Sequence, residues 1–212
     1  MPFTVWFFSL LTFHFSLFAV SFAASSVEED IARIQKAYDS IKDIKGSFVQ
    51  KSHIKDLKRT DTYKGEFFIK RPQKMRWEYK GDKAQEVIIN NKDIIIYQKE
   101  ERQAFRGKFD RDTYGQAPIA LLSGFRDIQK EFVVSKKNST LLLKPIRPMG
   151  NILSIKIELS DNKFPINSFT INDTHSNLIK IMLKGVKINT GLKDSIFEIS
   201  LPEDTKIVDE FL

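Results

Sequence analysis

Apolar side chains recur every three or four residues near the start of the charged part of the chain. They are, in order, Val27, Ile31, Ile34, Tyr38 and Ile41. This spacing places them in one stripe and predicts an amphipathic helix of about 16 residues. Ser26 and Glu29 stand at the spacing of a capping box, in which each side chain bonds the backbone N–H of the other residue. Lys36 and Lys42 follow towards the C-terminal end, where the helix dipole favours cations.

Beyond Lys42 the apolar positions recur every second residue instead. This period is typical of strands that bury one face, and short turns at 90–92 and 161–163 contain Asn and Asp, which tolerate positive φ. We therefore predict about eleven strands in one large, curved antiparallel sheet. The segments that carry the pattern are 45–51, 63–70, 75–80, 86–90, 94–98, 102–106, 131–135, 139–145, 153–159, 166–172, 179–184 and 196–200.

One almost wholly apolar segment, 115–125, interrupts the alternation. Pro118 suits the first turn of a helix, and Gly124 suits its end. The segment predicts a short apolar helix inserted between strands.

The first 22 residues carry no formal charge and contain seven of the 18 Phe residues. They are followed by small residues that permit a cut after Ala23, so we predict a signal peptide over 1–23 and a single exported domain over 24–212. The segment lacks the basic residues that usually begin a signal peptide. A retained N-terminal membrane anchor is therefore the alternative.

Composition narrows the classes of protein further. The chain of 212 residues has no Cys, which excludes disulfides, thiolate metal sites, a Cys nucleophile and an acylated Cys. Its net charge of +7 comes from lysines dispersed along strand faces. Dispersal and export both argue against a nucleic-acid partner. A weak, salt-sensitive attraction to anionic membranes or acidic partner patches stays open.

The residues that carry chemistry form no recognisable site. His14 lies in the predicted signal peptide, whereas His53 and His175 stand in polar, turn-like surroundings. No nucleophile elbow, phosphate loop, dinucleotide fingerprint or paired metal-binding histidine motif is present. We therefore predict a protein that is not an enzyme, with no catalytic residue, no metal and no cofactor.

Four segments in the same order resemble a known family. Residues 65–79 place Lys70, Arg71 and Pro72 at the end of one strand and Trp77 in the next. This arrangement resembles the LolA family of bacterial outer-membrane lipoprotein carriers. Residues 85–97 resemble that family's hairpin, with Asn-Asn-Lys-Asp where the family usually has Asp-Gly-Lys. Residues 117–122 are similar to its lid helix, and 197–202 with 207–208 are similar to its closing strand.

The resemblance implies a mostly β (α+β) fold, in which an unclosed antiparallel barrel of about eleven strands is covered by the N-terminal helix and the apolar lid helix. It implies a periplasmic chaperone, a monomer, that takes acylated lipoproteins from an inner-membrane ABC-type releasing complex to an outer-membrane receptor or membrane. Arg71 matches an arginine that bonds lid-helix carbonyls in the closed, empty state. The acyl-chain cavity expected from the resemblance is lined by Phe48, Phe67, Ile69, Met75, Trp77, Tyr79, Ile119, Leu121 and Leu122.

Other functions on the same fold remain open at this point. A general lipid-binding protein is one alternative. A sensor like the N-terminal domain of anti-sigma-factor partner proteins is another. Such sensors carry a second domain, and the 189 residues that follow the predicted signal peptide leave little room for it. The outer-membrane receptor of the same pathway needs an acylated Cys, which this chain lacks. A hydrolase is disfavoured by the missing motif. The pattern of apolar positions also does not distinguish a ligand cavity from a filled core.

Overall fold

A computed structural model describes residues 25–109 and 128–209. Its first element is the helix α1 (Val27–Ser40), two residues shorter than the predicted length. The predicted capping box is confirmed: the N–H of Glu29 donates to Ser26 Oγ (3.1 Å) and the N–H of Ser26 donates to Glu29 Oε2 (2.8 Å). The helix ends because Ile41 takes an extended conformation. Lys42 therefore lies outside the helix, and the last turn contains no basic residue.

Within the described residues, twelve strands form one sheet. Between the sixth and seventh strands lies the short helix α2 (Ile128–Glu131), and a 3₁₀ turn (Asp194–Phe197) precedes the last strand. The strands are β1 (Asp43–Ile54), β2 (Arg59–Lys70), β3 (Lys74–Lys80), β4 (Gln85–Asn90), β5 (Asp93–Gln98), β6 (Gln103–Lys108), β7 (Phe132–Lys137), β8 (Thr140–Pro145), β9 (Ile152–Leu159), β10 (Ile166–Asp173), β11 (Leu178–Ile188) and β12 (Lys206–Asp209).

The sheet consists of two meanders joined at β1. Its order is β12-β6-β5-β4-β3-β2-β1-β11-β10-β9-β8-β7, so β1 pairs with β2 on one side and with β11 on the other. The pairs are antiparallel except that β12 runs parallel to β6. The edges β7 and β12 are not joined to each other, and the expected unclosed, mostly β sheet under an N-terminal helix is confirmed. The predicted lid helix, 115–125, lies outside the described residues.

Eleven of the predicted segments are strands, and one prediction is wrong. Segment 196–200 is not a strand, and the closing strand is β12, further along the chain. The reason is that this segment crosses the outer face of the sheet instead of lying along one of its edges, and there Arg76 Nη1 donates to the carbonyls of Ile196 (3.0 Å) and Glu198 (3.4 Å). The predicted turn at 90–92 is confirmed, with Asn91 at φ 60° between β4 and β5.

The two faces of the sheet carry separate apolar cores. The inner face, which carries Phe48, Phe67 and Trp77, packs under α1 through Ile31 and Ile34. The outer face is crossed by residues 189–205, which we call the C-terminal strap. The 3₁₀ turn of this strap contacts β3 and β4. A second set of buried apolar residues accompanies the strap: Ile88, Tyr97, Ala104, Leu192 and Phe197.

A buried carboxylate fixes the start of the strap. Asp43 accepts hydrogen bonds from the N–H (2.7 Å) and hydroxyl (2.9 Å) of Thr190, and from the N–H groups of Gly191 (2.9 Å) and Leu192 (3.4 Å). Burial alone would raise the pKa of Asp43, but these hydrogen bonds outweigh burial and lower it. Asp43 is therefore an ionised anchor at neutral pH.

Candidate functional site

An apolar cavity opens where α1 ends over the turn between β2 and β3. We call it the mouth slot, and its volume is about 60 Å³. Its apolar walls come from the end of α1, the inner face of the sheet and two side chains beyond it. These residues are Tyr38, Ile41, Ile44, Ile69, Met75, Ile89, Phe109 and Phe164. The sheet contributes to the walls because β1, β2 and β3 start or end beside one another at this end.

Four cationic residues line the rim of the mouth slot: Lys42, Lys70, Arg71 and Lys74. Asp194 of the strap pairs with Lys70 (2.6 Å) and Lys74 (2.9 Å), and hydrogen bonds from these two lysines lower the pKa of Asp194. The N–H of Arg71 donates to the carbonyl of Lys42 (2.9 Å), which holds the β2–β3 turn against the end of α1. The Arg71 side chain is exposed at this rim.

Two tyrosines of the inner core, Tyr38 of α1 and Tyr79 of β3, stay neutral at physiological pH. Burial raises the pKa of Tyr38, whose ring lies 5.8 Å from that of Phe164 between centroids. Burial likewise raises the pKa of Tyr79 to about 12, and its hydroxyl donates to Gln50 Oε1 at 3.1 Å. The wall and floor of the site therefore acquire no charge from these phenols.

Beneath the mouth slot the inner face is filled by stacked aromatic rings. Trp77 stacks on Phe48 and Phe67, with ring centroids 4.2 Å and 5.4 Å apart, and Tyr79 meets Phe48 edge-on at 5.3 Å. The exposed fraction of each of the residues Phe48, Phe67 and Trp77 is at most 1%. They pack against one another because Gly65, opposite Phe48 in the register, leaves room for the Phe48 ring.

The structure thus divides the residues that the sequence assigned to a cavity. Ile69 and Met75 line the mouth slot, and Arg71 lies at its rim. Phe48, Phe67, Trp77 and Tyr79 form the aromatic layer below it. The other assigned residues, Ile119, Leu121 and Leu122, lie outside the described residues.

A second, open groove of about 640 Å³ adjoins the slot, and sequence reasoning missed it. Phe164 lines both spaces, and the groove continues along Ile166, Leu183 and Ile188 with Lys163 and Lys187 at its edge. The groove lies where the β1–β11 register shifts between Lys45 and Ser47, and Gly185 there has φ 57°. That glycine inside an alternating segment was the available sequence signal for an irregular strand.

Each of the two histidines in the part of the chain that the structure describes lies beside a threonine hydroxyl. Nδ1 of the half-buried His53 lies 3.0 Å from Thr60 Oγ1, and His175 stands in the turn after β10 beside Thr174. Over 25–109 and 128–209, no group of three or more His, Asp or Glu side chains is placed to hold a metal ion. Across the same ranges, no helix has the length and apolar character needed to span a bilayer.

Comparison with known proteins connects this architecture to a family. The model of the family described as outer membrane lipoprotein carrier protein LolA matches residues 39–200. An outer-membrane lipoprotein carrier protein of Pseudomonas putida is 25% identical over 193 residues, covering 90% of this chain and 93% of that protein. One from Francisella philomiragia is 28% identical over 198 residues, covering 92% and 94%.

A solved structure supports the fold independently. An uncharacterized conserved protein from Thermus thermophilus superposes with a TM-score of 0.55 at 11% identity, covering 87% of this chain and 99% of that one. At that identity the likeness concerns the fold alone. The match of the family model across most of the strands shows that the chain belongs to the LolA family.

Proposed function

We propose that this protein is a periplasmic carrier that covers the acyl chains of lipoproteins between two membranes. The observation that supports the proposal most is the apolar mouth slot between α1 and the β2–β3 turn, in a chain that belongs to the LolA family. Its described walls are apolar or neutral side chains, and acyl chains need apolar surface rather than hydrogen-bonding partners.

The energetics of acyl chains make such a cover necessary. Each buried methylene contributes about 0.8 kcal/mol, and two or more chains anchor a protein stably in a membrane. A lipoprotein therefore crosses an aqueous compartment only if another apolar surface replaces the bilayer. Export through the signal peptide predicted over 1–23 would bring the carrier to that compartment.

The described conformation corresponds to the empty carrier. The mouth slot of about 60 Å³ is less than half of the roughly 150 Å³ that accommodates benzene in an engineered protein cavity. Loading must therefore enlarge it. The element positioned to move is α1: near its start Asp30 pairs with Lys136 of β7 (2.5 Å), whereas near its end Tyr38 packs on Phe164. We propose that loading separates α1 from Phe164 and joins the slot to the adjoining groove.

Arg71 is proposed to hold the closed state. Arg71 lies at the rim, where its backbone N–H donates to the carbonyl of Lys42. From this position the five N–H donors of its side chain would reach the carbonyls of a covering segment. The segment expected to supply those carbonyls is the apolar lid, 115–125. Without the latch the closed, empty state loses stability relative to the loaded state, so the loaded carrier retains its cargo.

The test is transfer of a triacylated lipoprotein in a reconstituted system. We expect Arg71→Leu to accept lipoprotein from the inner-membrane ABC-type releasing complex but to fail to pass it to the outer-membrane receptor or membrane. Arg71→Lys, which keeps the charge but loses the fork of donors, should be intermediate. Lys83→Leu removes an exposed cation from the turn between β3 and β4, away from the rim, and serves as the matched control. Transfer by Arg71→Leu at the rate of this control would refute the latch.

A general lipid-binding protein is the second candidate, and one observation favours it. The walls of the open groove combine apolar side chains with polar ones, and Lys163 and Lys187 lie at its edge, an arrangement that suits an amphiphile with an anionic head. Native mass spectrometry of the protein isolated from the periplasm separates the two functions. A bound acylated polypeptide supports the carrier, whereas bound phospholipid or fatty acid alone supports the general binder.

A further inference from the structure

Lysines gather on one part of the outer face of the sheet, away from the mouth slot. Lys156 of β9 alternates with the fully buried Ile155 and Ile157, so its side chain lies on the outer face. The same alternation applies to the strands β1, β2, β3 and β11. We call the set the lysine face: Lys51, Lys64, Lys80, Lys156, Lys180 and Lys184.

The strand register places these cations in rows across the sheet. Lys51 lies directly opposite Lys180, and Lys180 is followed across β10 by Thr170 and then Lys156. The row from Lys51 to Lys156 spans three strand spacings, about 14 Å. A second pair, Lys64 and Lys80, is in register on β2 and β3. Like charges in register destabilise a sheet, so packing alone gives no reason for this arrangement.

Few carboxylates balance the charge. Glu158 pairs with Lys180 and Glu66 with Lys80, each at 2.7 Å. Among residues 25–109 and 128–209, no carboxylate pairs with the exposed Lys51, Lys64, Lys156 or Lys184. Glu78 also attracts Lys80, but it is paired with Arg76. Six lysines against the other two glutamates leave an excess of four positive charges, which is more than half of the chain's net +7.

The other part of the outer face is different. There Arg76 pairs with Glu78 and Glu86, Glu86 also pairs with Lys99, and the 3₁₀ turn of the strap contacts β3 and β4. Arg76 thus holds the strap over β3 and β4, whereas the lysine face, which includes Lys80 at the other end of β3, meets solvent.

The chemistry of the lysine face indicates its partner. Every cation in the set is a lysine, a flexible point charge without the fixed fork with which arginine grips one carboxylate. Between the lysine rows the half-buried Val49 and Met182 lie in register, and the flanking Ser168 and Thr170 are small. A broad surface of mobile point charges, without a pocket or an arginine clamp, suits a fluid array of phosphates better than one folded acidic patch.

We propose that the lysine face binds the anionic phospholipid headgroups of a membrane surface. The mouth slot lies on the opposite face of the sheet, so the carrier would stay at the membrane with its binding site unobstructed. This inference does not depend on the nature of the cargo. An empty protein that binds no acyl chain would still associate with anionic vesicles.

The test is co-sedimentation with lipid vesicles. The protein is expressed from its full-length gene and purified after export. We expect binding to vesicles of mixed phosphatidylglycerol and phosphatidylcholine, no binding to pure phosphatidylcholine, and a steep loss with salt. Each lysine near an anionic surface contributes about fivefold to the partition coefficient, so the triple variant Lys51→Glu, Lys156→Glu, Lys184→Glu should lose about a hundredfold or more.

The matched control makes the same charge change elsewhere, with Lys36→Glu, Lys83→Glu and Lys92→Glu, all exposed and off the lysine face. It should lose less than about tenfold, because charges beyond a Debye length of about 8 Å from the surface are screened. Equal losses in the two triples, or no binding of the wild type to phosphatidylglycerol, would overturn the proposal. Preferential binding to polyglutamate of matched charge would assign the face to an acidic polypeptide instead.

A single substitution separates membrane binding from misfolding. Lys51→Glu replaces a like-charge pair with an opposite-charge pair against Lys180. We expect it to raise the thermal unfolding midpoint while lowering vesicle binding about fivefold or more. If the midpoint and binding both stay unchanged, the lysine face has no role in membrane association.

Discussion

Asp43→Asn tests the anchor that starts the C-terminal strap. In the wild type both carboxylate oxygens of Asp43 accept hydrogen bonds, and the residue is only 4% exposed. The variant keeps one carbonyl oxygen, but its amide N–H₂ faces donors of the strap. If the carbonyl retains the two Thr190 donors, the N–H groups of Gly191 and Leu192 lose their acceptor.

The expected magnitude follows from those two donors. A buried donor left without an acceptor costs about 1–3 kcal/mol. We therefore expect Asp43→Asn to lower the free energy of unfolding by about 2–6 kcal/mol at pH 7. Asp161→Asn is the matched control, because Asp161 is fully exposed and forms only a surface ion pair with Arg33. Such a pair contributes at most about 1 kcal/mol.

Urea unfolding at pH 7 and at lower pH provides the measurement. Because the folded-state pKa of Asp43 lies below that of the unfolded chain, about 3.9, its contribution is fully present well above that value. It is lost as the pH falls through the folded-state pKa. The difference between wild type and Asp43→Asn should therefore shrink below about pH 4. A difference under about 0.5 kcal/mol at pH 7, or one that persists unchanged in acid, would refute the anchor.

Two further substitutions test the aromatic layer and the strap. Gly65→Ala would place Cβ 1.8 Å from the carbonyl oxygen of Glu78, so we expect a loss of about 3 kcal/mol in urea unfolding. Gly46→Ala, whose nearest contact is 2.9 Å, should cost less, and equal costs would contradict the argument. Arg76→Leu removes the donor to the strap carbonyls, so it should cost about 3 kcal/mol and speed hydrogen exchange over 194–200. Unchanged exchange there would show that the strap is held by other contacts.

Most secondary structure was predictable because it depends on local periodicity. The capping box at Ser26 and Glu29 needs only residues three apart, and it was confirmed. Eleven strands were readable from alternation because each buries one face. Segment 196–200 was wrongly predicted to be a strand because a tertiary contact decides its conformation. Arg76, on a strand more than a hundred residues earlier, donates hydrogen bonds to its carbonyls.

The candidate site was only partly predictable. Alternation assigns Phe67, Met75 and Trp77 to one face of the sheet, and the structure places them on that face. The alternation does not show which side chains pack against one another and which line a cavity. Trp77 packs between Phe48 and Phe67, whereas Met75, two residues earlier, borders the mouth slot because β3 begins there.

The helix and nearly all of the strands follow from the spacing of apolar residues along one chain, whereas the family follows from the resemblance of four segments and from the match of its model to residues 39–200. The strand register, the small volume of the mouth slot and the path of the strap become known only from the folded molecule. The physical reason is that each depends on contacts between residues far apart in sequence, such as Asp43 with Thr190 or Lys51 with Lys180. The sequence showed the lysines as dispersed. The register alone brings them together on one face.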